Sequence, residues 1–352
     1  MEFYVVSERH CLESPGWQPI YEFEDLLVDV TGGYLLAPSV RATLSVPFLS
    51  RRKKIFDPIV LPQGTGAAPK VLFVVAHDPM ALNIVMAIPG WRRMFDVVAA
   101  FVTEPFCAWG CPKIEGQIDH FFVPQVEDLE PVKARTNKPV SLLGSATDVL
   151  THANIGADRA IDVVSYGRMP VDLRRALQER FNDPGSGRIF LHSPFGIGRG
   201  KNWQRDRRLF WKLLKISKVA LCFDTTEPGM RAMPHMRSLL TPRWFECLAA
   251  GCVTAGVRPT ASLTATFLDW EDAIVDLPST IDGAIKQIEM LADDVSRLEA
   301  LRRRAHGHLL QRHDWRHRIV DAMDALSLSP PPKLRDDLVR LDKLAAEHCG
   351  QG

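Results

Sequence analysis

Short apolar runs alternate with segments of helical period along most of the chain. Strand-like apolar runs lie at 3–6, 34–37, 71–76, 97–102, 121–123, 140–143, 161–165, 189–192, 219–223, 253–255 and 273–275. Between many of them apolar residues recur at three- and four-residue intervals, as at 23–30 and 171–181. Uninterrupted apolar strands separated by helices are typical of parallel sheets covered on both faces. The pattern therefore predicts an α/β fold, in which ligands bind beyond the carboxyl ends of the strands.

Three further segments have a less regular pattern. Residues 80–95 have helical period, but Pro89 and Gly90 interrupt it and predict a kink or an end there. The basic cluster at 51–54 predicts a solvated loop, with contact to acidic lipid or an acceptor as the alternative. A helix is predicted at 206–215, with the apolar side formed by Leu209, Phe210, Leu213 and Leu214.

The length of 352 residues is too great for one ordinary core and fits two domains. The strand that starts at 161 places the boundary near Asp158, which gives domains at 1–157 and 158–326 and a C-terminal helix and tail at 327–352.

Composition and charge exclude several classes of protein. Hydrophobic residues at 46% and charged residues at 24% are typical of a globular chain, and the net charge of +1 gives no reason to expect a nucleic-acid partner. Seven scattered cysteines favour a reducing compartment over a disulfide framework. No apolar stretch reaches about 18 residues, so no transmembrane segment is predicted. The expected location is the cytoplasm, and contact with a membrane surface is left open.

In the first half, candidate chemistry follows two strand ends. His77 and Asp78 come directly after the run 71–76, and Glu104 follows the run 97–102. A carboxylate can orient a histidine as general base towards an acceptor hydroxyl, so these three residues are the catalytic candidates. Adjacent strand residues point to opposite faces, so a direct pair is not assured, and a structurally satisfied loop histidine is the alternative. If the leaving group of the reaction can take the proton, no enzyme base is required.

In the second half, the stretch 239–256 stands out. Pro242 precedes an apolar helix that carries Arg243 and Glu246 in its first turn, and Gly251 ends it. The N–H groups and dipole of a helix N-terminus suit a phosphate or a polyol. The alternative is a surface ion pair of Arg243 with Glu246 at the i,i+3 spacing.

This stretch resembles the donor-binding motif of the C-terminal domain of GT-B glycosyltransferases, of the group-1 type. The matching residues are Arg243, Phe245, Glu246, Leu248, Ala249 and Gly251. The segment 312–318 resembles the ending of the same domain, and the likeness extends over 161–326. His313 and His317 have the i,i+4 spacing of a zinc pair, but no glutamate accompanies them as in a zinc-protease helix, and the family ending explains the cluster instead.

The resemblance implies a GT-B fold of two Rossmann-like domains with an interdomain cleft. It implies that the second domain binds a nucleotide-sugar donor and the first an acceptor, with no metal and no cofactor. Arginine suits a diphosphate because its planar fork pairs with two phosphate oxygens and keeps its charge. The predicted donor-binding residues are Gly167, Arg168, Arg199, Lys201, Thr241, Arg243 and Glu246.

Glu246 corresponds to the second glutamate of the family pair, which accepts hydrogen bonds from the donor ribose. Ser238 stands where the first glutamate is expected. This departure points to a different donor sugar or to contacts supplied from 225–229.

The predicted function is transfer of a sugar from a nucleotide-activated donor to an acceptor hydroxyl, without a metal. The acceptor is a saccharide, a lipid-linked compound or a small molecule. Two alternatives remain, a nucleotide-sugar epimerase or hydrolase and a non-catalytic nucleotide-sugar binder, because a shared fold does not fix the function.

Overall fold

The chain divides into two compact units. The computed structural model describes residues 1–12, 14–46, 51–62, 68–106, 111–192, 202–227 and 237–349. The first unit comprises Met1–Glu13, Pro19–Gly144 and Arg318–Asp337, and the second comprises Ser14–Gln18, Ser145–His317 and Leu338–Gly352. The predicted boundary near Asp158 therefore lies inside the second unit.

The first unit contains a parallel sheet and a separate antiparallel ribbon. Its strands are β1 (Glu2–Val6), β2 (Tyr34–Leu36), β3 (Val40–Val46), β4 (Arg51–Phe56), β5 (Lys70–Ala76), β6 (Val97–Val102), β7 (His120–Val123) and β8 (Val140–Leu142). The six-stranded sheet has the order β2-β1-β5-β6-β7-β8, and β3 and β4 form a separate two-stranded sheet. The helices up to this point are α1 (Gln18–Thr31), α2 (Pro112–Glu115) and α3 (Leu129–Thr136).

The central strands of this sheet are buried on both faces, which explains their unbroken apolar sequence. Leu72 and Val74 belong to the core on one face, and Phe73 stacks with Phe3 and Phe122 on the other. The apolar runs at 3–6, 71–76 and 97–102 were correctly predicted as strands.

One prediction for this unit was confirmed in part and another was wrong. Residues 80–95 form short 3-10 helices at Ala81–Ala87 and Trp91–Arg93, and they are interrupted at Pro89 and Gly90, where the break was predicted. The residue before a proline is driven to an extended conformation, as Ile88 is at φ −104°, and Gly90 then takes φ 70°. The basic cluster 51–54 is not a loop but part of β4, where Lys54 pairs with Thr43.

The second unit contains one five-stranded parallel sheet. Its strands are β9 (Ile161–Ser165), β10 (Phe190–His192), β11 (Ser217–Phe223), β12 (Val253–Val257) and β13 (Val275–Asp276). Their order is β10-β9-β11-β12-β13. The remaining helices are α4 (Val149–His152), α5 (Val171–Phe181), α6 (Trp203–Lys215), α7 (Pro242–Ala249), α8 (Thr264–Phe267), α9 (Ile281–Asp293), α10 (Val295–Arg312), α11 (Trp315–Ala325) and α12 (Pro332–Cys349).

The buried side of α6 differs from the prediction. Its buried residues are Arg207, Phe210, Trp211 and Leu214, which follow one another at helical spacing. Leu209, predicted on the apolar side, is exposed. The stripe therefore includes a charged side chain, Arg207, which forms an ion pair with Glu246.

Across the described residues, no helix is long and apolar enough to cross a membrane.

Candidate functional site

Three of the predicted donor-binding residues, Gly167, Arg243 and Glu246, lie close together beyond the carboxyl end of β9. Tyr166, Gly167 and Arg168 follow the last strand residue directly, and α7 begins beside them. Pro242 occupies the first turn of α7, where its missing N–H is not needed. Trp244 and the following residues of α7 are buried, so the helix is fixed against the sheet.

Arg243, a residue of α7, packs against the segment that follows β9. Its guanidinium carbon is 5.2 Å from the centre of the Tyr166 ring. Gly167 has φ 76°, a left-handed conformation that favours glycine. A Cβ atom there would collide with the Arg243 guanidinium, so this cation packs directly against the glycine backbone. Gly167 and Arg243, which are far apart in the sequence, are therefore neighbours, and the half-buried Arg168 directly follows Gly167.

Glu246 is not a surface residue. It is 2% exposed, and Arg207 on α6 donates a hydrogen bond to its Oε1 atom. The Tyr166 hydroxyl donates to Oε2 at 2.9 Å. The ion pair of Glu246 is thus made with a residue from another helix instead of with Arg243 at i,i+3.

Burial and the neighbouring Cys247 and Glu246 raise the pKa of Tyr166 well above its usual value. The phenol therefore stays neutral and acts as a hydrogen-bond donor to the carboxylate. The guanidinium of Arg207 lies over the rings of Phe210 and Trp211, at 4.3 and 5.2 Å from their centres. The Tyr166 ring meets Phe210 edge-on, with 4.7 Å between the ring centres, so aromatic packing holds both Arg207 and Tyr166.

Thr241 is the N-cap residue of α7, with an extended conformation at φ −92° and ψ 162°. Its side chain makes no capping hydrogen bond, whereas its carbonyl accepts from the Trp244 N–H at 3.3 Å. Thr241 is therefore the N-cap residue, but its hydroxyl does not cap the N–H groups of α7. Arg199 and Lys201, the other predicted donor ligands, lie outside the described residues.

Ser238, at the position of the expected first glutamate, has a local bonding role. Its Oγ atom accepts hydrogen bonds from the N–H groups of Thr260 at 2.7 Å and Ala261 at 3.0 Å. These contacts tie the segment before α7 to the loop after β12. In the segment 225–229, the Thr225 hydroxyl donates to Asp224 at 3.2 Å, and residues 228 and 229 lie outside the described chain.

The histidine-rich segment around the start of α11 is explained by packing and backbone contacts. His313 packs between the rings of Phe245 and Phe267, at 5.0 and 5.3 Å, and His317 Nε2 is 3.0 Å from the Leu310 carbonyl oxygen. Within the described parts of the chain, no group of three or more His, Cys, Asp or Glu side chains could hold a metal ion.

A second cluster lies at the carboxyl ends of β1, β5 and β6, which are neighbours in the first sheet. His77 Nδ1 is 2.7 Å from Glu8 Oε2, and the His77 N–H donates to the same oxygen at 2.8 Å. His77 Nε2 is 3.3 Å from Asp78 Oδ2, so the adjacent residues do pair. They can do so because both lie past the end of β5. Glu104 joins them by donating its N–H to the His77 carbonyl at 2.7 Å.

This setting determines the charge of His77. Burial disfavours the protonated ring, but hydrogen bonds with Asp78 and Glu8 outweigh it and raise the pKa of His77 to about 10. Burial also opposes ionisation of Asp78, yet the bond to His77 and the Ala81 N–H hold its pKa below the usual value. At neutral pH His77 is therefore an imidazolium that lies between Glu8 and Asp78. A protonated ring cannot accept a proton, so this state does not suit a general base.

Sequence reasoning missed three residues of these clusters. Glu8 lies just past the end of β1, after Ser7, so extending the strand-end rule by one residue would have found it. Arg207 occupies the apolar stripe of α6, and a charged residue in such a stripe signals a buried partner. Tyr166, between β9 and Gly167, carried no signal beyond its position.

Comparisons with known proteins bear on the family and the fold. Residues 173–324 match a family described as glycosyl transferase-like. No curated protein matches the chain. Among solved structures, the chain is similar to OtsA in its apo form, with 10% identity and a TM-score of 0.54, over 94% of this chain and 100% of that one.

Two further solved structures are less similar. One is AviGT4, a glycosyltransferase involved in avilamycin A biosynthesis, with 13% identity and a TM-score of 0.43 over 99% of this chain and 98% of that one. The other is the pneumococcal O-GlcNAc transferase GtfA in complex with UDP and GlcNAc, with 12% identity and a TM-score of 0.40. This match covers 73% of this chain and 56% of that one. The likeness to OtsA supports the fold alone, and it confirms the predicted class of two Rossmann-like units.

Proposed function

Since the resemblance to GT-B glycosyltransferases is confirmed by the family match and the fold, we propose that the protein transfers a sugar from a nucleotide donor to an acceptor hydroxyl. The observation that carries this function is the placement of Arg243. It stands at the start of α7, against Gly167, at the carboxyl edge of the second sheet. Ligands of open α/β sheets bind at this edge.

The chemistry requires a cation at the leaving diphosphate. Arg243 meets this need with a planar fork that pairs with two phosphate oxygens at once. The N–H groups at the start of α7 add positive potential on the same side. Arg168 is a second candidate, and Arg199 and Lys201 stay in the proposed donor set from the sequence. With side-chain cations in this role, we expect transfer to persist when a chelator removes divalent ions.

The surroundings of Glu246 change the role that we propose for it. Its carboxylate holds Arg207 and Tyr166, and its 2% exposure leaves little surface for a ribose. We therefore assign it first to the support of Tyr166. Direct contact with the ribose is the alternative. In that case Glu246→Gln would weaken the binding of the bare nucleoside as much as the binding of the diphosphate.

For the acceptor, the proposed side is the cluster of Glu8, His77, Asp78 and Glu104. Because His77 is held as a cation and its hydrogen bond lowers the pKa of Asp78, Glu104 is the first candidate for a base and Asp78 the second. In an inverting reaction, replacing that base should reduce turnover and leave donor affinity unchanged. Full transfer by both Asp78→Asn and Glu104→Gln would favour a route in which the departing phosphate takes the proton.

Calorimetric titration tests the donor side. The wild type, Arg243→Ala and the control Arg175→Ala, which alters an exposed residue of α5, are each titrated with nucleosides, nucleoside diphosphates and nucleotide sugars. Loss of charge-assisted hydrogen bonds of about 1.5–3 kcal/mol should weaken diphosphate binding by about 10- to 150-fold, without a matching effect on the nucleoside. A wild type that binds no diphosphate would refute the proposed function.

Turnover separates the alternatives. Consumption of the donor without any acceptor would favour a hydrolase or an epimerase. Tight donor binding with no transfer to saccharides, lipid-linked compounds or small hydroxylated acceptors would favour a non-catalytic binder.

A further inference from the structure

The Arg243 guanidinium lies on an aromatic ring although a carboxylate stands three residues further along its helix. Arginine and glutamate at this spacing commonly pair. Here, however, both oxygens of Glu246 accept hydrogen bonds from elsewhere, one from Arg207 and one from the Tyr166 hydroxyl. The guanidinium of Arg243 is 5.2 Å from the Tyr166 ring centre, on the side of Gly167.

Arg207 balances the charge of Glu246 inside the protein. It is 5% exposed and is held by the rings of Phe210 and Trp211. A buried carboxylate without a partner would attract the nearest cation strongly, because attraction between charges is greatest where water is excluded. Without Arg207, that nearest cation on the same helix is Arg243.

We propose that Tyr166 and Arg207 are positioning residues that hold Arg243 in the orientation in which it meets the diphosphate of the donor. Arg207 neutralises Glu246 and so keeps this carboxylate from drawing Arg243 along its helix. Tyr166 supplies the ring on which the cation lies, and its hydroxyl fixes that ring to Glu246. This assignment rests on the proposed function, since it deepens the donor site.

The ring is tested with two substitutions of one residue. Tyr166→Leu removes the aromatic face, and Tyr166→Phe keeps it while losing the hydroxyl. A cation–π contact of this kind accounts for about a 2- to 30-fold change in affinity. We expect Tyr166→Leu to weaken the binding of uridine or guanosine diphosphate by a factor in this range and to leave the binding of the bare nucleoside unaffected. The loss of diphosphate affinity should be larger in Tyr166→Leu than in Tyr166→Phe.

The charge balance is tested with Arg207→Met, with the exposed neighbour on the same helix, Arg208→Met, as the matched control. Arg207→Met should weaken diphosphate binding by about tenfold, since Glu246 is then able to recruit Arg243. The double variant Arg207→Met with Glu246→Gln should recover most of this loss, because the competing charge is gone. A purely structural role of Arg207 predicts no recovery.

A ligand-free readout separates this inference from the proposed function. The Nε–H signal of Arg243 in nitrogen-15 spectra should shift in Tyr166→Leu and Arg207→Met, and return towards the wild-type position in the double variant. A wild type that binds none of the diphosphates would refute the proposed function, while these shifts would still support the positioning. Unchanged Arg243 signals in folded Tyr166→Leu and Arg207→Met would overturn it, as would diphosphate affinities equal to those of the wild type.

Discussion

Gly167→Ala tests the close approach of Arg243 to the backbone. Gly167 has φ 76°, and an added Cβ would collide with the Arg243 guanidinium. A matched control exists in Gly187, which has φ 65° but no atom within 4 Å of its would-be Cβ. Both substitutions carry the same backbone strain, and only one displaces the cation.

The magnitudes follow from these two geometries. An L-residue in the left-handed conformation costs about 1–2 kcal/mol, so both variants should lose a similar amount of free energy of unfolding. Gly167→Ala must also move the Arg243 guanidinium away from the sheet edge. If that guanidinium pairs with the diphosphate, losing about 1.5–3 kcal/mol of binding energy weakens affinity by about 10- to 150-fold.

Denaturant unfolding measures the strain, and calorimetry with a nucleoside diphosphate measures the displacement. We expect Gly187→Ala to share the loss of stability and to keep wild-type affinity. Equal diphosphate affinities for Gly167→Ala and Gly187→Ala would refute the placement of Arg243 in the donor site.

Two further predictions concern groups outside that contact. Because the folded pKa of His77 is raised from 6.5 to about 10, its stabilising effect should be complete below pH 6.5 and be lost as the pH rises through about 10. NMR titration of the ring should therefore give a pKa well above 6.5. In His77→Gln the free energy of unfolding should decline less as the pH rises towards 10. A ring that titrates near 6.5 would contradict the pairing. Arg159 is a buried side chain that donates hydrogen bonds to the carbonyls of Ser217 and Ala250 at 2.7 and 3.1 Å. Replacing it by Met should lower the free energy of unfolding by at least about 3 kcal/mol. Arg175→Met, at an exposed position, should change it by less than about 0.5 kcal/mol, and similar effects of both would refute this role of Arg159.

The sheets could be predicted because buried parallel strands leave a local signal. The run 71–76 is apolar throughout since both faces of β5 are covered, and that needs no knowledge of its neighbours. The hairpin of β3 and β4 left no such signal. Its second strand carries the basic residues at 51–54, which suggest a loop until the pairing with β3 is known.

The candidate site could be predicted only in part, because contacts between distant residues decide it. The motif residues Gly167, Arg243 and Glu246 were found from the sequence. The partner of Glu246 lies 39 residues earlier, on a helix whose stripe was assigned from hydrophobic residues alone. Including charged residues in that stripe would have identified Arg207 as buried. No local pattern could have shown that it neutralises Glu246.

The central claim is sugar transfer from a nucleotide donor, and one measurement tests it most directly. The full chain is incubated with each nucleotide sugar and a panel of saccharide, lipid-linked and small hydroxylated acceptors, with a chelator present. Mass spectrometry follows the acceptor while the released nucleoside diphosphate is quantified. We expect one donor to yield an acceptor heavier by one sugar, with an equal amount of diphosphate, and Arg243→Ala to lose most of this product. Donor binding with neither product nor diphosphate for any pair, or an equal yield from Arg243→Ala, would contradict the account.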